Sequence, residues 1–172
     1  MMSGTDDWVD PRQVDPLVVG RVIGDVVGMF VPRLNISVCY GSKHLTSGCE
    51  IEPSVAADPP KVQISGSPQH LYTLVMVDPD APSPSEPTMR EIVVDVPGGT
   101  SPSEGKEVVR YMGPKPPVGM HRYVMVAFEQ KGELKMVVEE PACRPHFNTR
   151  NFAQQYDLGI PVSAFYFNSQ KE

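Results

Sequence analysis

Leu71-Tyr72-Thr73-Leu74-Val75-Met76-Val77-Asp78-Pro79-Asp80-Ala81-Pro82-Ser83-Pro84-Ser85 runs an apolar strand straight into a turn that carries two carboxylates and is stiffened by prolines. Further along, Gly113-Pro114-Lys115-Pro116-Pro117-Val118-Gly119-Met120-His121-Arg122-Tyr123 delivers a histidine where a second proline-rich loop enters a strand. Each proline fixes φ and lowers the entropy lost on ordering, so both loops hold their shape before any ligand arrives. Read alone, the first segment has an ordinary structural meaning, since Asp, Pro and Ser dominate turns. The two together point to a site.

Outward from these loops the chain reads as mainly β. Strand-like runs lie at Leu34 to Tyr40, Val62 to Ser65, Leu71 to Val77, Ile92 to Val96, Tyr123 to Phe128, Leu134 to Val138 and Val162 to Phe167, separated by Gly, Pro and Ser clusters. The 19 prolines and 14 glycines among 172 residues fit a loop-rich β protein better than a helical one. Two helices are predicted. Asp15 caps a first one, with Pro16 at its start and Val18, Val19, Val22, Ile23, Val26 and Val27 at helical spacing. Gly20, Gly24 and Gly28 would then share one face, seated tightly on a sheet. The second helix spans Thr149 to Leu158, capped by Asn148 and stopped by Gly159 and Pro161. Residues 1–14 read as a flexible leader and 15–172 as one domain, with a hydrophobic content of 40% that is enough for a core.

Charge and composition exclude several functions. A net charge of −6 and 15 scattered Lys and Arg residues lay no basic stripe for direct nucleic-acid binding. Cys39, Cys49 and Cys143 form no C-x-x-C, and the acidic start has no apolar signal region, so reduced thiols in the cytosol and nucleus are expected. No apolar run approaches the roughly 18 residues of a membrane span. His44, His70, His121 and His146 show no ligand pair at close spacing, so neither a metal nor a cofactor is expected. Asp78, His121 and either Ser83 or Ser85 could nominally supply a catalytic set, but no G-x-S-x-G elbow is present and both serines sit in a turn. The expectation is a protein that is not an enzyme. As a binding site, His121 would hold an anion's oxygen, while Asp78 would orient the imidazole or accept from a ligand's amine.

The segments Asp78 to Ser85 and Gly119 to Tyr123 resemble the signatures of the phosphatidylethanolamine-binding protein (PEBP) family. The likeness continues through Tyr111-Met112-Gly113-Pro114, Phe147 to Ala153 and Leu158 to Val162, and so covers about residues 15 to 171. Asp15 to Val27 and the ending Tyr166 to Glu172 are similar to the Mother of FT (MFT) branch of the plant flowering and germination regulators. The resemblance implies an antiparallel β-sandwich with a large central sheet, short peripheral helices and a proline-lined anion pocket. Asp78, Asp80, Pro82, Gly113, Pro117, His121 and Tyr123 are its expected lining, and phosphate or a phospholipid head group its expected guest. It further implies a monomeric adaptor for bZIP transcription factors through 14-3-3 proteins. Gln69 and Glu133 stand where florigen-type proteins present basic side chains to 14-3-3, which weakens that expectation here. The loop Val138, Glu139, Glu140, Pro141, Arg144, Pro145 and His146 matches the partner-facing loop of the family. A cytosolic PEBP that binds phospholipid or inhibits a kinase is the other reading the resemblance leaves.

One departure bears on the site. After Met89-Arg90-Glu91 the family continues through an aromatic-x-His-Trp segment that supplies a second pocket histidine, whereas this chain runs directly into Ile92-Val93-Val94. At about 3.3 Å per residue, the loss of about four residues makes the strand begin later or draws the loop Pro82 to Glu91 inward. An even-numbered loss keeps the alternation of Ile92, Val93 and Val94, so the expectation is an intact fold with reduced anion affinity.

Overall fold

The computed structural model describes residues 15–80, 88–134, 144 and 147–172. The leader 1–14, Pro82, Ser83, Ser85, the loop residues Val138, Glu139, Glu140, Pro141, Pro145 and His146, and all but the first residue of the expected strand Leu134 to Val138 lie outside them. Among the described residues there are eight strands, β1 (Ile36–Tyr40), β2 (Lys43–His44), β3 (Lys61–Ile64), β4 (Leu71–Asp78), β5 (Thr88–Pro97), β6 (Lys106–Val109), β7 (Met120–Glu129) and β8 (Ser163–Gln170). They form a three-stranded sheet in the order β2-β1-β3 and a five-stranded sheet in the order β6-β5-β4-β7-β8, and every pairing is antiparallel. The mainly β architecture read from the sequence is borne out.

Side chains of the large sheet alternate between two apolar layers, as the period of two requires. Leu74, Met76, Tyr123 and Met125 meet Val38, Tyr40 and Ile64 of the small sheet. Val75, Val77, Val124 and Val126 face the other way, toward Leu17, Val22, Phe152 and Leu158. Covering both faces explains why the central strands read as unbroken apolar runs although their neighbours are antiparallel. Phe167 of β8 stacks on Tyr123 of β7 with ring centroids 5.5 Å apart, and both rings are fully buried.

The first helix differs from its prediction. Asp15 does cap it, accepting from the Leu17 N–H at 2.9 Å, but α1 (Pro16–Val19) is a single turn. Arg21 then adopts φ 60 and Gly24 φ 118, so α2 (Val22–Asp25) is a separate, irregular turn. The even spread of valines suits either form, and tertiary contacts choose: Gly20 lies under the Tyr166 ring, where an added Cβ would come within 2.3 Å of the ring carbons. With the backbone turning twice, Gly20, Gly24 and Gly28 share no helical face. The later helix, α3 (Thr149–Gln155), is close to expectation, with the Asn148 side chain accepting from the Asn151 N–H at 2.9 Å.

Two strands were not read from the sequence, β2 and β6, because each is short and carries exposed charges where an apolar alternation would be the signal. Leu134 is in no strand. The most consequential difference is at β5. It starts at Thr88, opposite Asp78, rather than at Ile92, so the shortened loop is drawn into the sheet.

Candidate functional site

Asp78 ends β4 and is fully buried. Its carboxylate is used on both oxygens: Oδ1 accepts from the Asp80 N–H at 2.9 Å, closing a short Asx turn, and Oδ2 lies 2.8 Å from Nδ1 of His121. With the Asp78 carboxylate accepting, Nδ1 carries the proton, which leaves Nε2 as an acceptor. The sequence-predicted pair is thus brought together, with His121 6% exposed at the entry to β7.

Asp80 is turned elsewhere. Arg122 donates to it three times, from its backbone N–H at 2.8 Å, from Nε at 2.9 Å and from Nη2 at 2.8 Å, and also reaches Gly20 O at 3.0 Å and Asp25 Oδ2 at 2.9 Å. Burial alone would raise the Asp80 carboxyl, but these hydrogen bonds and the guanidinium charge outweigh it and hold it below the usual carboxylate range. Through Arg122, Asp80 therefore fastens the α1–α2 turns to the sheet end, close enough to His121 to feel its charge.

The segment ahead of β7 divides in the same way. Pro114 and Pro116 are buried, whereas Pro117 is exposed. Gly113 lies tight against the Ala56–Ala57 backbone, where an added Cβ would sit 2.7 Å from Ala56 O. The same carbonyl accepts from the Tyr111 hydroxyl at 2.7 Å, so the Tyr40 hydroxyl, 2.7 Å from that of Tyr111, is the donor between them. Burial raises both phenols above their ordinary pKa.

Arg90 and Glu91 complete the site, and the sequence did not single them out. Met76 pairs with Glu91 and Val77 with Met89, which makes Arg90 the extra residue of a β-bulge. The bulge turns consecutive side chains toward the same side of the sheet. The Arg90 guanidinium lies 5.6 Å from the Tyr123 ring centroid and its Nη2 is 3.9 Å from Asp78 Oδ2. Glu91 stands close enough to Tyr40 and Tyr111 to raise both phenols further, and burial, followed by the charge of Glu107, pushes its own carboxyl up to about 7. The visible signal was their position directly before Ile92, where the family carries His-Trp.

Among the described residues, Arg90 Nε and the Ser169 hydroxyl are buried without a hydrogen-bond partner, while the Tyr123 hydroxyl interacts with the Arg90 and Asp78 side chains. Ser169 is the cross-strand neighbour of His121. The guanidinium and hydroxyl groups give the sheet end donors suited to an oxyanion or water, and His121 Nε2 adds an acceptor in the tautomer that Asp78 sets. Among the described residues no group of three His, Cys, Asp or Glu side chains could hold a metal ion.

Arg144, of the expected partner-facing loop, lies at the edge beside this site. Its carbonyl accepts from the Met89 N–H at 2.7 Å, and its guanidinium donates to Arg90 O at 3.2 Å and Arg110 O at 2.8 Å. Gln69 and Glu133 are both exposed.

The phosphatidylethanolamine-binding protein family model matches residues 41–166 of this chain, and the chain belongs to that family. The chain is 55% identical over 166 residues to Protein MOTHER of FT and TFL1 homolog 2 of Oryza sativa subsp. japonica, covering 94% of this chain and 95% of the relative. It is 45% identical to Protein TERMINAL FLOWER 1 of Arabidopsis thaliana, with 94% and 93% covered. Among solved structures, a carboxypeptidase Y inhibitor complexed with its cognate proteinase superposes with a TM-score of 0.76 at 22% identity, covering 92% of this chain and 94% of that one. A phosphatidylethanolamine-binding protein from Plasmodium vivax gives a TM-score of 0.76 at 17% identity, with 91% and 96% covered. These two likenesses show the fold. The resemblance read from the sequence, to the family and to its MFT branch, is borne out.

Proposed function

We propose that this chain is a regulator of flowering or seed germination that performs no catalysis and acts as a transcriptional co-regulator through protein partners. The observation that carries the reading is the 55% identity to an MFT homologue along nearly the whole of both chains. A bZIP factor is the expected partner. Capture through 14-3-3 is weaker than for a florigen, because Gln69 and Glu133 put a neutral and an acidic side chain on the surface where a basic pair would attract it.

The anion site is part of the same reading. The shortened β5 gives the place of the second histidine to Arg90, whose guanidinium is already shared between Asp78 and the Tyr123 ring. A small phosphate or head group must compete with those contacts, so affinity falls below that of a chain with the missing segment restored.

Expression of the chain in a plant that lacks its own MFT-branch protein tests the function: flowering time or germination shifts if the reading holds. Unchanged timing, with the protein confirmed as present, would sink it. Alongside, immobilised protein is offered a bZIP factor with and without 14-3-3. Retention of 14-3-3 as tight as by a florigen would contradict the weight placed on Gln69 and Glu133.

A further inference from the structure

The face of the small sheet turned away from the core carries a second arrangement. Cys39 is on the central strand β1, directly opposite His44 of β2 and Lys61 of β3. Residues directly opposite in antiparallel strands have Cβ atoms about 5 Å apart, so the thiol is flanked on both sides. Its Sγ lies 2.8 Å from Nδ1 of His44. Val38 and Tyr40 face the core, which leaves Cys39 half-buried on the opposite face. There it lines a cleft of about 430 Å³ with Ser37, His44, Lys61, Gln63, Thr100 and Ser101.

We propose that Cys39 is a thiol-exchange site for a small disulfide that bears carboxylates. A thiolate is the attacking form of cysteine, and His44 Nδ1 is placed to take the thiol proton. The thiolate then attacks one sulfur of the bound disulfide. A new S–S bond joins Cys39 to one half, the original S–S bond breaks, and the other half leaves as a thiolate that recovers the proton from His44. No other oxidant is needed. Lys61 supplies a positive charge for a ligand carboxylate, and the hydroxyl and amide groups of the cleft suit a peptide-like body. Cys49 is the internal comparison: it is also free and half-buried, but it packs against the core between the sheets and has no histidine partner among the described contacts.

The test is incubation of the full chain with oxidised glutathione, followed by peptide mass spectrometry over time. Cys39 is expected to form the mixed disulfide about tenfold faster than Cys49, and His44→Gln to slow Cys39 by about tenfold. Lys61→Gln is expected to slow the reaction with oxidised glutathione several-fold and to leave that with uncharged hydroxyethyl disulfide unchanged. His44 and Lys61 are exposed, so neither substitution opens the core. Equal rates at Cys39 and Cys49, or a His44→Gln variant as fast as the native chain, would overturn the site. A Lys61→Gln variant that slows both disulfides alike, or neither, would overturn the assignment to carboxylate-bearing ligands.

Discussion

Arg90 stands over the ring of Tyr123, its guanidinium carbon 5.6 Å from the centroid, while its Nη2 is 3.9 Å from the carboxylate of Asp78. Arg90 is 5% exposed and Asp78 0%, so neither charge has water to fall back on. Removing one member of a buried pair costs more than the pair contributes, because the survivor is left uncompensated. Arg90→Ala is expected to lower stability by about 2–3 kcal/mol in urea unfolding, a figure that includes the lost stacking on Tyr123. Arg90→Lys keeps the charge but not the planar contact and is expected to lose about 1 kcal/mol. An Arg90→Ala variant as stable as the native chain would show that the pair is incidental.

Glu91 sets a pH dependence of definite sign. Burial, then the charge of Glu107, raises its carboxyl from 4.5 to about 7 in the folded chain. Between those values the folded state binds more protons than the unfolded one, so stability falls as pH rises from about 4.5 to about 7. A shift of this size corresponds to a penalty of roughly 3 kcal/mol above pH 7. Glu91→Gln keeps the shape and removes the titration, so its stability at pH 8 is expected to exceed the native value by about 2–3 kcal/mol, with little difference at pH 4. Asp80 works in the opposite sense: held below its usual 3.8 by Arg122, it stabilises the fold above that value, and the gain is lost as pH falls through the folded pKa. A native profile that rises from pH 5 to 8 and matches Glu91→Gln would refute the assignment.

The second irregularity of β5 gives a conformational prediction. Asp95 adopts φ 57, a left-handed conformation that non-glycine residues rarely hold. It is held there by Gln130: Nε2 donates to Asp95 Oδ1 at 2.7 Å, and the Asp95 N–H donates to Gln130 Oε1 at 2.8 Å. The same Oε1 accepts from the buried Thr73 hydroxyl at 2.8 Å. Asp95→Ala loses the two bonds that Oδ1 accepts, from Gln130 Nε2 and from the Leu134 N–H at 3.0 Å, and keeps the strain, so a cost of about 2–3 kcal/mol is expected. Asp95→Asn tolerates the conformation, retains most of the network and is expected to cost under about 1 kcal/mol. Equal denaturation midpoints for the two variants would count against the network as the cause.

The fold was largely legible because the central strands are apolar on both faces and the turns between them are rich in proline and glycine. Asp78 and His121 were legible for a related reason: each sits where a stiff loop meets a strand, and the structure joins them at 2.8 Å. The contacts of Asp80 were not legible, since sequence cannot say which way a turn carboxylate points, and it is Arg122 that donates to it. Arg90 and Glu91 were missed because a charged pair before an apolar run looks like loop, and only strand register shows that a bulge carries both into the sheet. The long first helix failed for a physical reason too. Valine spacing does not reveal the left-handed Arg21 or the contact of Gly20 with Tyr166 that breaks it.

In the function proposed for this chain, the missing segment before Ile92 rebuilds the anion site around Arg90 and weakens it while leaving the fold intact. Calorimetric titration with inorganic phosphate, and separately with a short-chain phosphatidylethanolamine, measures this on the native chain and on a variant with a Trp-x-His-Trp segment inserted between Glu91 and Ile92. The restored variant is expected to bind more tightly, by about tenfold or more for the return of one good donor to the anion, at similar thermal stability. Equal affinity in the two proteins would contradict it.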